Sequence, residues 1–378
     1  MFCLRVRDFS KKSGGARHAF GSKGDHMRAW TMVVALGIGF PVAGGVLAQD
    51  HTASPSAGAA LTAMDYIEIK QLAARFAFAY DTGADGGCEF ADLFTPDGEF
   101  QPDQVKGRDQ LAALARLGDH GPFQTSLYMM NHVIEAAPEG AHGKQYVAHI
   151  RHDNNIPPVP PGESQWNLVG QQRGSLAPDG GHLEDVYVKT TEGWRFKRRE
   201  FIQSQGGPHP TPLTMKPPVL PPGPPCGPRK ALPAPSTLAP MDYLEIEKLV
   251  ASYGHALDSG YGQGENGEAY AGLYTRDATF GRTSGHDALA ALARVQPHSA
   301  TYVRHYLTNH VIEGTPDGAK GKEYLVVIDI GENGTPSSIF LGGHYEDVYV
   351  KTPEGWRIKT RTLYRAQSGP NAKASPTR

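Results

Sequence analysis

The 378 residues predict an α+β fold present twice in tandem, and three observations carry that expectation. Residues 62–203 and 239–366 repeat one another. They share an opening, Met64-Asp65-Tyr66 against Met241-Asp242-Tyr243, and a middle, Asn131-His132-Val133-Ile134-Glu135 against Asn309-His310-Val311-Ile312-Glu313. They also share an ending, Glu184-Asp185-Val186-Tyr187-Val188-Lys189-Thr190 against Glu346-Asp347-Val348-Tyr349-Val350-Lys351-Thr352, each followed within four residues by Gly-Trp-Arg. Second, each copy places helical spacing before strand alternation, the order of an α+β domain. Third, a unit of about 130 residues is far longer than a solenoid repeat and can bury its own core.

Each copy opens with an amphipathic helix. Tyr66, Ile69, Leu72, Ala73, Phe76 and Tyr80 recur at three- and four-residue spacing, as do Tyr243, Ile246, Leu249, Val250, Tyr253 and Leu257. Asp65 with Glu68, and Asp242 with Glu245, have the spacing of a capping box with the aspartate as N-cap. The helices stop at Asp81-Thr82-Gly83 and Asp258-Ser259-Gly260. A short helical piece carries Leu93-Phe94 or Leu273-Tyr274, and a strand begins near Gly98 or Ala278. A third helix follows, with Leu111, Leu114 and Ala115 matched by Leu289, Leu292 and Ala293. Val-, Ile-, Tyr- and Thr-rich stretches at 302–313, 322–330, 340–351 and 356–364, parted by Pro-Asp-Gly, Asn-Gly and Pro-Glu-Gly, then read as antiparallel strands. A curved sheet against helices leaves a pocket between them, where a small molecule would bind.

Residues 28–48 join Arg28 to an apolar run and end in Val46-Leu47-Ala48, a pattern of a secretory signal cut after Ala48. A membrane anchor is the competing reading, weakened by Pro41 and the interrupting glycines. The basic stretch before Met27 is unlike a compact leader, so Met27 is a second candidate start. Residues 1–48 contain seven Lys/Arg and two Asp/Glu, so their removal takes the formal charge from −2 to −7. The mature chain is expected to be secreted or periplasmic, free of the membrane, and a poor electrostatic match for nucleic acid. Residues 204–238 carry three Pro-Pro pairs and read as a semi-stiff linker between domains. Cys88 and Cys226 remain in the mature chain, and either a disulfide tying the linker to the first domain or two free thiols fits the sequence.

The helix ending in Ala-Leu-Asp258, the strand His305-Tyr306-Leu307-Thr308-Asn309 and the closing Gly-Trp356-Arg-Ile-Lys-Thr-Arg361 resemble the SnoaL-like branch of the nuclear transport factor 2-like superfamily. The spacing is similar to the gamma-hexachlorocyclohexane dehydrochlorinase and scytalone dehydratase group. The resemblance implies two cone-shaped, cystatin-like domains, each with N-terminal helices on a curved antiparallel sheet, packed as an intramolecular pseudo-dimer. It places the group's catalytic Asp–His pair on Asp258 and His305 and an arginine on Arg361, with Tyr253, Asn309 and Trp356 as ligand-binding candidates. It implies no cofactor and no metal.

The chemistry suits the residue types. A neutral imidazole takes a proton near pH 7, and a carboxylate on its other nitrogen fixes the tautomer. An arginine steadies developing negative charge. Structural readings compete: a helix-end aspartate before Gly serves turns, and His305 fits a satisfied core position. Strand parity groups Arg361 with Arg357 and Lys359, opposite Trp356 and Ile358, which suggests a solvated face. In the first copy Leu127 stands where His305 stands, although Asp81 and Arg199 match Asp258 and Arg361, so that copy should be inactive by this mechanism. The Asn-His pair shared by both copies reads as packing, and His149 with His152 lacks the companions of a metal site. The expected function is a cofactor-free lyase or isomerase acting through the second domain on a small hydrophobic molecule. A non-catalytic small-ligand-binding protein of the same fold is the alternative.

Overall fold

The computed structural model describes residues 60–101, 104–118, 124–153, 173–176, 180–203, 220, 223–229, 237–258, 265–294, 303–330 and 337–366. The expected signal segment and most of the linker lie outside them. The first copy contains α1 (Ala63–Thr82), α2 (Cys88–Asp92), β1 (Phe94–Gln101), β2 (Val105–Lys106), α3 (Arg108–Gly118), β3 (Gln124–Ala137), β4 (Gly140–Asp153), β5 (Arg173–Leu176), β6 (Gly181–Thr190) and β7 (Gly193–Gln203). The second contains α4 (Pro240–Asp258), α5 (Glu268–Ala271), β8 (Tyr274–Phe280), β9 (Thr283–Ser284), α6 (His286–Arg294), β10 (Val303–Thr315), β11 (Gly318–Asp329), β12 (Ser338–Thr352) and β13 (Gly355–Arg365).

The capping box of α1 sits three residues earlier than the sequence suggests. Thr62 is the N-cap of α1: its hydroxyl accepts from the Asp65 N–H, and Asp65 Oδ2 accepts from the Thr62 N–H at 2.9 Å. Asp242 plays the same part in α4, accepting from the Ala239 N–H at 2.9 Å, with Pro240 as the first helical residue. The other oxygen of each aspartate explains the repeated ending. Asp65 Oδ1 accepts from Lys189 at 2.6 Å and from the Trp194 indole at 3.0 Å; Asp242 Oδ1 accepts from Lys351 at 2.6 Å and Trp356 at 3.0 Å. The first helix of each domain is thereby fastened to its last hairpin.

Each domain has a six-stranded mixed sheet, β2-β1-β7-β6-β4-β3 and β9-β8-β13-β12-β11-β10. The long strands are antiparallel as expected. The strand after the second helix joins the last strand in parallel, β1 with β7 and β8 with β13, which makes the sheets mixed. Strand β5 pairs with β4 and touches β12 at Gly174 and Ile339, linking the two sheets.

Two bulges per domain change which side chains point inward. The register of β10 against β11 shifts between Thr308 and Val311, with Asn309 at φ 54°; Asn131 stands at φ 55° in the matching shift of β3. Asparagine tolerates this left-handed conformation, which accounts for its presence in both copies. In β13 the register shifts so that Val348 faces Thr360 and Tyr349 faces Ile358, leaving Lys359 as the extra residue. Arg361 therefore joins the face of Trp356 and Ile358. The expected solvated face is corrected: Arg361 is fully buried.

The described residues of the two domains belong to one compact unit and pack on one another. Gln71 of α1 donates to the His310 carbonyl at 3.1 Å and accepts from the Ile312 N–H at 2.6 Å. Tyr128 donates to the Leu325 carbonyl at 3.0 Å. Cys88 and Cys226 form a disulfide, with Cα atoms 5.6 Å apart. Around it Arg108 donates to the Gly227 carbonyl and Arg229 to the Phe94 carbonyl, lacing this part of the linker to the first domain. No helix among the described residues is long and apolar enough to cross a membrane.

Candidate functional site

Helix α4 delivers Asp258 at its last turn, beside the start of β10. Asp258 Oδ2 accepts the His305 backbone N–H at 3.0 Å, and Oδ1 lies 2.6 Å from His305 Nδ1. One carboxylate thus fixes both the strand and the ring. The pair is largely withdrawn from solvent, with the His305 side chain 4% and the Asp258 side chain 11% exposed. With Nδ1 held by the carboxylate, Nε2 is the nitrogen left for proton transfer. Gly254 permits the close approach of helix and strand, since a Cβ there would stand 3.1 Å from the His305 carbonyl oxygen.

Next to His305 lies a cluster of tyrosines. The Tyr253 ring meets the imidazole edge-on at 6.3 Å between centroids, and its hydroxyl is 2.9 Å from that of Tyr345. The Tyr270 and Tyr274 hydroxyls are likewise 2.9 Å apart. Burial pushes all four phenols up, so they stand as protonated donors.

Arg361 runs beneath this cluster. Its guanidinium lies 4.1 Å from the Tyr253 ring centroid and 4.3 Å from that of Tyr345. Nε donates to Asp347 Oδ1 at 2.9 Å and Nη2 to Glu323 Oε1 at 2.6 Å. Burial, followed by the Asp347 charge, raises the Glu323 carboxyl well above its ordinary range. Asp347 also accepts from Tyr349, whose hydroxyl is 3.1 Å from His310 Nε2. The repeated Asp-Val-Tyr and Asn-His segments thus meet in one buried network. Gly321 makes room for it, because a Cβ there would stand 2.4 Å from the Tyr349 ring.

Two of the sequence candidates are placed elsewhere. Trp356 is spent on Asp242, at the opposite end of α4 from Asp258; sixteen residues at 1.5 Å each separate the two aspartates by about 24 Å. Asn309 turns its side chain to the other domain, donating to the Leu127 carbonyl at 2.6 Å and accepting from the Met129 N–H at 3.0 Å. Neither is hydrogen-bonded to the Asp258–His305 pair: Trp356 anchors a helix and Asn309 makes an interdomain bond. Tyr253, Asp258, His305 and Arg361 do come together.

The first domain builds the same scaffold with different contents. Asp81 Oδ2 accepts the Leu127 N–H at 2.9 Å, as Asp258 does that of His305, but no imidazole follows. Phe76, Phe90, Phe94 and Leu183 occupy the places of Tyr253, Tyr270, Tyr274 and Tyr345. Gln145 replaces Glu323, leaving Arg199 with Asp185 alone at 2.6 and 2.7 Å. Tyr253 was a candidate from the sequence; Tyr270, Tyr274 and Tyr345 escaped that reasoning, although the Phe-to-Tyr exchange at the first two was a signal for them. No group of three or more metal-ligating side chains occurs among the described residues.

The SnoaL-like domain model matches residues 62–200 and again 241–362. No curated protein matches the chain. Among solved structures, a variant of Rv3472, a protein of unknown function from Mycobacterium tuberculosis, is 27% identical, with 34% of this chain and 73% of that chain covered and a TM-score of 0.29. A nuclear transport factor 2-like protein with a cystatin-like fold from Novosphingobium aromaticivorans is 25% identical over 35% of this chain and 86% of its own, with a TM-score of 0.31. The two matched segments span most of the chain and coincide with its two helix-and-sheet units, so the protein belongs to the SnoaL-like family as a tandem of two such domains.

Proposed function

We propose that the second domain is a cofactor-free lyase or isomerase acting on a small hydrophobic molecule, with His305 as the base and Asp258 as its orienting partner. The observation that carries this reading is the 2.6 Å contact between Asp258 Oδ1 and His305 Nδ1 beside a tyrosine-lined interior. His305 Nε2 takes a proton from carbon. The freed electron pair forms a double bond, either as a leaving group departs from the next carbon or with the proton returned elsewhere on the molecule. The protonated tyrosines are suited to receive negative charge building on an oxygen of the substrate. Asp258 stabilises the imidazolium through its transient life. Arg361, tied to two carboxylates, positions Tyr253 and Tyr345 and does not touch the reacting atoms in this scheme.

The first domain serves as scaffold. The chain acts outside the cytoplasm after loss of residues 1–48, a reading supported by the Cys88–Cys226 disulfide, since such bonds persist in oxidising compartments. The test is a screen of small dehydration, isomerisation and dehydrohalogenation substrates against the intact protein, His305→Ala and Asp258→Asn. Turnover by the wild type, a loss of at least about a hundredfold in His305→Ala and a smaller loss in Asp258→Asn is the expected pattern. Saturable binding of a substrate without turnover favours the non-catalytic ligand-binding reading.

A further inference from the structure

Because the chain repeats, every contact between the domains has a counterpart that can be checked. The packing joins mainly unlike faces. The first domain gives α1 and the start of β3; the second gives the outer face of β10 and β11, and where the two first helices meet, Lys70 of α1 pairs with Glu247 of α4, its own counterpart position, at 2.8 Å. Ile67 packs into the core of the second domain at 8% exposure, Tyr128 is buried at 1%, and Tyr324 is buried at 5% against Phe78. Tyr324 also donates to Asp81 Oδ2 at 2.8 Å.

Each domain carries both kinds of face, so one of each is unused. The matching positions are bare: Leu244, the counterpart of Ile67, is 50% exposed, Tyr306, that of Tyr128, is 48%, and Tyr146, that of Tyr324, is 59%. A head-to-tail contact between two units leaves this result by symmetry. The two bare faces are the counterparts of the two that already fit one another, with Lys248 in the place of Gln71 and His255 in that of Phe78, and together they expose large apolar side chains.

We propose that a second copy of this chain covers them, with α4 of one chain seated on the β3–β4 outer face of the other as α1 is seated on β10–β11 within the chain. In that arrangement Tyr146 of the partner subunit approaches Asp258 as Tyr324 approaches Asp81. Its hydroxyl donates to Asp258 Oδ2, while Oδ1 keeps the His305 ring. Tyr146 is then a positioning residue supplied in trans; only this last role rests on the function proposed above.

Sedimentation of the intact, disulfide-bonded protein at about 100 μM, where even a weak specific interface is populated, is expected to give at least twice the mass of one chain. Leu244→Glu and Tyr146→Glu are each expected to weaken association at least tenfold with unchanged circular dichroism, a charge on an exposed residue of a lone chain having no such effect. Tyr146→Phe should keep the mass yet move the ring-nitrogen resonances of His305, a readout independent of turnover. A single-chain mass at that concentration, or an assembly indifferent to both charged substitutions, overturns the proposal. An assembly that responds to the charges while the His305 resonances ignore Tyr146→Phe overturns the positioning role.

Discussion

Arg361 shows how much a single buried side chain can organise. Its charge is fully withdrawn from water and held by Asp347 and Glu323. Removing the guanidinium leaves Asp347 without compensation, so Arg361→Met should cost about 3–5 kcal/mol of stability by urea unfolding, the usual result of breaking a buried pair. His310 makes a second residue-scale expectation. Burial lowers its pKa from the ordinary 6.5 to about 3, and lowers that of His132 to about 4. Between those values and 6.5 the unfolded chain binds protons that the folded chain refuses. Stability contributed by the neutral rings is therefore complete above pH 6.5 and is lost as the pH falls through this window. The slope approaches about 1.4 kcal/mol per pH unit for each ring. Urea midpoints measured from pH 7 to pH 4 should fall accordingly, and His310→Gln should flatten the fall.

At the scale of elements, the bulges decide what sequence periodicity could not. Helices, turns and the four long strands of each copy were legible, because alternation and spacing survive wherever the ladder is regular. One inserted residue, Lys359, reverses the parity of everything after it and carries Arg361 from the expected outer face to the core. Asn309 was legible as a shared residue but its partners were not, since they come from Leu127 and Met129 in the other domain. The partner of Trp356 was hidden for a similar reason: its hydrogen bond to Asp242 joins chain segments 114 residues apart. The Asp258–His305 pair was reached through family resemblance, and parity alone would have left it undecided. Asn309→Ala removes a left-handed asparagine and two interdomain hydrogen bonds together. It should destabilise the protein by about 2 kcal/mol, measured by chemical denaturation, with an accompanying gain in hydrogen exchange at the Met129 amide, which Asn309 Oδ1 accepts from.

The whole molecule combines one scaffold used twice with contents that have diverged. Phenylalanines and Leu127 make the first interior apolar, whereas tyrosines and His305 give the second its hydroxyls and its imidazole. The Cys88–Cys226 bond closes a loop across 138 residues of sequence, so its reduction should cost about 4 kcal/mol and lower the melting temperature. Cys226→Ser should show the same loss without reductant. Neither change touches the second domain's site. The most direct measurement is solvent deuterium uptake at acidic carbon positions in a panel of small hydrophobic carbonyl compounds, which detects proton abstraction before any leaving group is known. The intact protein is expected to catalyse uptake into at least one compound, His305→Ala to lose it by about a hundredfold or more, and Leu127→Ala in the first domain to retain it. Uptake that survives in His305→Ala, or that is lost only on altering the first domain, would contradict the assignment of the chemistry to the second.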